Sequence, residues 1–84
     1  MRFGLSSKFL RNFRKLPREI IDLTKERLEL FYVDPWQGSL KTHKLSGDRK
    51  DHWAFSINYE YRVVFRQQDN EILLVDVGLH DDVY

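Results

Sequence analysis

The sequence has no cysteine, which excludes a disulfide staple, a thiolate nucleophile and a cysteine-zinc site. Its four glycines, Gly4, Gly38, Gly47 and Gly78, are too scattered to build a phosphate-cradling loop. No serine sits in a nucleophile-elbow pattern, so acyl transfer has no support. His43, His52 and His80 lack the helical HExxH spacing of a zinc site, and neither a metal nor another cofactor is expected. Long apolar runs are missing too. Stretches such as Ile72-Leu73-Leu74-Val75 fall far short of the roughly 20 residues that a membrane span needs. No apolar segment of the signal-peptide kind follows Met1-Arg2, so a cytoplasmic protein without a secretory leader is expected.

What is present fits one small globular domain spanning residues 1–84. Hydrophobic residues make up 42% and charged residues 32%, the balance of a folded chain and not of a disordered tail. A chain of this size buries only about 60% of its unfolded surface. The 14% of aromatic residues, Trp36 and Trp53 among them, therefore belongs first to the core or to an interface.

The net charge of +1 hides an asymmetry. All 14 lysines and arginines lie between Arg2 and Arg66, whereas Asp69, Glu71, Asp76, Asp81 and Asp82 follow with no basic residue among them. A basic body of this kind attracts phosphate at long range, and it also simply solvates a surface.

Periodicity divides the chain into two helices and a set of strands. Arg2 to Ser6 reads as a short opening strand. Ser6 or Ser7 can cap a helix whose apolar positions are Phe9, Leu10, Phe13 and Leu16, with Lys8, Arg11, Arg14 and Lys15 opposite. Pro17 breaks it and suits the first turn of the next helix. Ile20, Ile21, Thr24, Leu28 and Phe31 carry that second helix until Asp34-Pro35 ends it. After a loop over 35–51, alternation predicts strands over 53–57 and 61–66, and a more continuously apolar strand over 72–77 near the sheet centre. The predicted class is α+β with order β-α-α-β-β-β. A helical hairpin covers one face of a twisted, mainly antiparallel sheet, the opening strand lies beside a strand of the meander, and the other face stays open, carrying Arg62 and Arg66.

The chemistry left to such a chain is acid–base work by His and Glu beside fixed Arg and Lys. That toolkit suits RNA cleavage: a 2′-hydroxyl is deprotonated, charge builds on the phosphorane, and the leaving 5′-oxygen is protonated. Arg62 can also simply pair with Glu60, since residues two apart on a strand share a face.

Four segments carry a resemblance: Leu40-Lys41-Thr42-His43-Lys44-Leu45-Ser46-Gly47, then Trp53, then Ile57 to Phe65, then Gly78-Leu79-His80-Asp81-Asp82-Val83-Tyr84. In order and spacing they resemble the RelE/ParE superfamily of toxins from type II toxin–antitoxin modules, nearest to its YoeB and YafQ branches of ribosome-dependent mRNA endonucleases. The resemblance implies roles by position. Arg62 matches the strand arginine that contacts the scissile phosphate, Glu60 an acidic active-site residue, and His80 the near-terminal general acid. Tyr84 matches the terminal aromatic, and its ring is expected to stack on a base; His43 matches the histidine before the turn. Gly38 stands where the YoeB-like branch has its base glutamate, and Ser56 where the YafQ-like branch has a second strand histidine. The base is therefore either Glu60 or His43.

By the same resemblance, the partners are a cognate antitoxin, mRNA and the ribosome. The products are a 2′,3′-cyclic or 3′-phosphate and a 5′-hydroxyl, formed without metal. Two alternatives use the same fold: a ParE-like inhibitor of DNA gyrase with no chemistry of its own, and a degenerate toxin kept as an antitoxin partner.

Overall fold

The computed structural model describes residues 1–47, 49 and 51–84. Its elements are β1 (Arg2–Leu5), α1 (Ser7–Arg14), α2 (Arg18–Val33), β2 (His43–Lys44), β3 (His52–Ser56), β4 (Tyr61–Gln68), β5 (Glu71–Leu79) and α3 (His80–Val83), with a 3₁₀ turn at Gly38–Leu40. Among the described residues no helix is long and apolar enough to cross a membrane.

Local chemistry fixes the helix ends. Ser6 caps α1 by accepting the Phe9 N–H at 3.0 Å, and its own hydroxyl donates to the Val75 carbonyl at 2.8 Å, tying the helix start to β5. Pro17 stands just before α2 at the cap position, not inside its first turn, and its carbonyl accepts from Ile20 and Ile21. At the other end Gln37 Nε2 donates to the Leu30 carbonyl at 2.7 Å.

The five strands form one sheet in the order β1-β5-β4-β3-β2, with β1 parallel to β5 and every other pair antiparallel. The opening strand thus lies beside a strand of the meander, as its sequence predicts, and that strand is the last one, β5. On the helix side, Phe9 of α1 and Ile20 and Phe31 of α2 pack with Phe55, Val63, Phe65, Ile72, Leu74 and Val77. Phe31 is fully buried, its ring 4.6 Å from that of Phe55 and 4.9 Å from that of Phe65.

Two expectations need correcting. The 35–51 segment is not a plain loop. Leu40 is fully buried in the core, Thr42 Oγ1 donates to the Pro35 carbonyl at 2.6 Å, and His43–Lys44 pairs with β3 as an edge strand. (Asp48 and Lys50 of that segment lie outside the described residues.) The second sheet face is also not wholly open. Directly opposed residues of an antiparallel pair point to the same side, so His43, Ala54 and Val64 form one row there, and Ser56, Arg62 and Gly78 another. Val83 of α3 packs onto this face against Ala54 and Val64, with Leu45 and Val75 at the margin. Arg66 does remain exposed beside that patch.

Gly78 permits the approach. A Cβ there would stand 3.2 Å from Val83 Cγ1, tighter than ordinary packing, so a larger residue would hold α3 away from the sheet.

Candidate active site

Arg62 enters the site from β4, and its guanidinium is anchored by the turn before that strand. Nη1 donates to the carbonyls of Asn58, Tyr59 and Tyr61 at 2.7, 3.0 and 3.1 Å. The other two guanidinium nitrogens have no backbone partner among the described residues. The ion pair with Glu60 that strand alternation suggests does not form. β4 starts only at Tyr61, so Glu60 lies in the turn and is not two positions along a shared strand face.

That turn is shaped by Asn58, whose side-chain oxygen accepts the backbone N–H groups of Glu60 and Tyr61 at 2.9 and 2.8 Å. The Glu60 carbonyl then accepts the His80 N–H at 2.8 Å, which sets the start of α3. One amide side chain therefore organises the supports of both Arg62 and His80. Sequence reasoning missed Asn58. Its signal was an asparagine in the short link between two strands, where its side chain readily bonds to its own backbone ahead.

His80 and Tyr84 stand at the two ends of the single turn of α3, their ring centroids 4.2 Å apart. His80 Nδ1 lies 3.2 Å from Asp81 Oδ1. His43 comes from the opposite edge of the sheet. Its Nδ1 lies 3.1 Å from the Lys41 carbonyl oxygen, which can only accept, so in the neutral ring Nδ1 carries the proton and Nε2 the lone pair. The Tyr84 hydroxyl then donates to His43 Nε2 across 3.1 Å. Lys41 presents its carbonyl from the left-handed region, at φ 52°, a conformation that costs a non-glycine residue about 1 kcal/mol or more.

Burial pushes the Tyr84 phenol above its usual value of 10, and the Arg62 guanidinium beside it pulls it partly back by charge and by hydrogen bonding. The phenol is thus neutral at physiological pH and able to donate.

The structure brings His43, Arg62, His80 and Tyr84 together around Tyr84. Glu60 lines the rim of an open cleft of about 620 Å³ with Arg62, His80, Asp81 and Asp82, and its carboxylate has no partner among the described residues. His43 does not line that cleft and reaches the group through Tyr84. Among the described residues no three His, Asp or Glu side chains are grouped to hold a metal ion. Trp36 and Trp53 lie apart from the site, in edge-on contact at 4.7 Å, with Trp36 also 5.7 Å from Phe65.

No protein-family model matches the sequence. No curated protein matches it either. Solved structures do. YafQ from E. coli strain BL21(DE3) superposes with a TM-score of 0.84 at 13% identity, over 100% of this chain and 99% of that one. The YoeB/ParE toxin from Agrobacterium tumefaciens gives 0.78 at 16%, over 95% and 99%. YafQ in the E. coli DinJ–YafQ toxin–antitoxin complex gives 0.80 at 14%, over 98% and 94%. The chain has the RelE/ParE-like toxin fold. At these identities the likeness is one of fold, and it extends over 94–100% of the chains compared.

Proposed function

We propose that the protein is the toxin of a type II toxin–antitoxin pair and acts in the cytoplasm as a metal-independent endoribonuclease on mRNA held by the ribosome. The observation that carries this reading is the gathering of His43, Arg62 and His80 around Tyr84, whose hydroxyl bonds to His43 and whose ring meets that of His80 at a tilt. A gyrase binder has no need of two histidines set around a fixed guanidinium.

Each group has a place in the reaction. Arg62, held by three carbonyls, offers a preorganised positive charge to the phosphorane. His80 Nε2 protonates the leaving 5′-oxygen, while Nδ1 is engaged by Asp81. Of the two residues open as base, the tautomer of His43 favours it over Glu60, because its lone pair already faces a donor hydroxyl. Tyr84 passes the proton: its oxygen takes the 2′-hydroxyl proton as its own moves to His43 Nε2.

The partner is an antitoxin, as in the DinJ–YafQ complex. Its docking area would include the exposed apolar residues of β1 and the end of α2. Phe3 and Tyr32 meet there edge-on at 4.9 Å, and Val33 is 84% exposed.

The deciding experiment adds the purified protein to a reconstituted translation reaction and maps the mRNA by primer extension. Discrete cuts that require His80 support the proposal. Intact mRNA together with inhibited gyrase supercoiling would replace it with the ParE-like alternative.

A further inference from the structure

Arg62 borders a second hollow, one that His80 does not line. This hollow, of about 410 Å³, is lined by Arg27, Lys41 and Arg62 together with Ser39 and Ser56. No carboxylate lines it, whereas the His80 cleft carries Glu60, Asp81 and Asp82. The two hollows that share Arg62 thus differ sharply in charge.

Arg27 is the informative residue. It projects from α2, is half-buried, and is held by one bond from Nε to the Ile57 carbonyl at 3.1 Å. Among the described residues it has no acidic partner. Taking a guanidinium partly out of water without a counter-charge is unfavourable, and a bound anion offsets that cost. A planar fork fixed through Nε leaves both terminal amino groups to meet phosphate oxygens.

We propose that this hollow binds the RNA phosphate that lies on the 5′ side of the nucleotide supplying the attacking 2′-hydroxyl. The proposal rests on the nuclease reading above and gives the strand its direction. His80, as acid, must face the leaving 5′-oxygen of the downstream nucleotide, and it lines the acidic cleft. His43 serves the upstream 2′-hydroxyl and is held by the carbonyl of Lys41, a residue that also lines the basic hollow. The strand therefore runs from Arg27 and Lys41, across Arg62, into the cleft of His80. Lys41 joins the two tasks: its backbone sets the His43 tautomer and its side chain receives the neighbouring phosphate.

The test uses 2′-O-methyl dinucleotides, which cannot be cut, in three forms: without a terminal phosphate, with a 5′-phosphate and with a 3′-phosphate. Binding to the full chain is followed by amide and arginine NMR shifts. A 5′-phosphate should tighten binding by about tenfold and move the Arg27 Nε–H signal, and a 3′-phosphate should do neither. Arg27→Gln should erase the 5′ gain. Lys41→Gln, at an exposed side chain, should reduce it and serves as a second variant should Arg27→Gln fold poorly. Equal gains at both ends, or a 5′ gain that survives both substitutions, overturn the proposal. Cutting in the translation reaction without any 5′-phosphate preference overturns the hollow and leaves the nuclease reading standing. No cutting and no binding of any dinucleotide overturns both.

Discussion

His80 and Arg62 differ in what their loss should do to the reaction. Removing a general acid typically costs about 10²–10⁴ in rate, and removing one preorganised charge about 10²–10³. His80→Ala and Arg62→Ala should each slow mRNA cleavage by factors of that order and abolish toxicity, as read by single-turnover cleavage and by growth. Ribosome affinity should change much less, because many lysines and arginines share that task.

Tyr84 calls for a different expectation from the one its position suggests. A ring that merely stacked on a base would tolerate loss of its hydroxyl. Here the hydroxyl donates to His43 Nε2, so Tyr84→Phe should slow cleavage by about tenfold or more while RNA binding holds. The raised phenol pKa also has a sign in stability. Below pH 10 the phenol is neutral in both states. As the pH rises past 10 the unfolded chain ionises first, so this contribution is lost in alkali, which urea titrations at pH 9 and pH 11 would show.

Asn58 holds no reacting atom. Asn58→Ala removes the acceptor that closes the turn and should lower the cleavage rate by about 10- to 100-fold through misplacement of Arg62 and His80. Asn58→Asp keeps an oxygen in place and should restore most of the rate. A rescue limited to thermal stability would show that Asn58 matters only for folding.

At the scale of elements, α3 is four residues held mainly by Val83 on the second sheet face. Gly78→Val would push Val83 outward, carrying His80 and Tyr84 with it. Cleavage should fall by at least tenfold while the melting temperature moves by only a few degrees, since the main core lies on the other face. α3 also marks where the sequence stops being legible. α2 and strands β3 to β5 follow from apolar periodicity, because each buries enough side chain to leave a pattern. His43–Lys44 and His80–Val83 bury too little for that. They are strand and helix only because β3 supplies an edge and the second face supplies a seat. The motif-matched residues were legible one by one. Asn58 and Arg27 were not, since their importance lies in which carbonyls and hollows their polar atoms meet.

For the molecule as a whole, the pairing of β1 with β5 joins segments nearly seventy positions apart, Arg2 lying opposite Glu71. Such non-local pairing slows folding, because the intervening chain must be ordered before the contact stabilises anything. Nascent chains arrested before β5 leaves the exit tunnel should therefore stay sensitive to protease, and chains extended past it should resist. This order of events bears on timing. While the protein is being made, β1 has nothing to join, α3 has no seat, and His43 and His80 remain on unconnected segments. For the nuclease proposed above, cleavage is thus possible only after synthesis has delivered β5 and α3, the segments that complete the site.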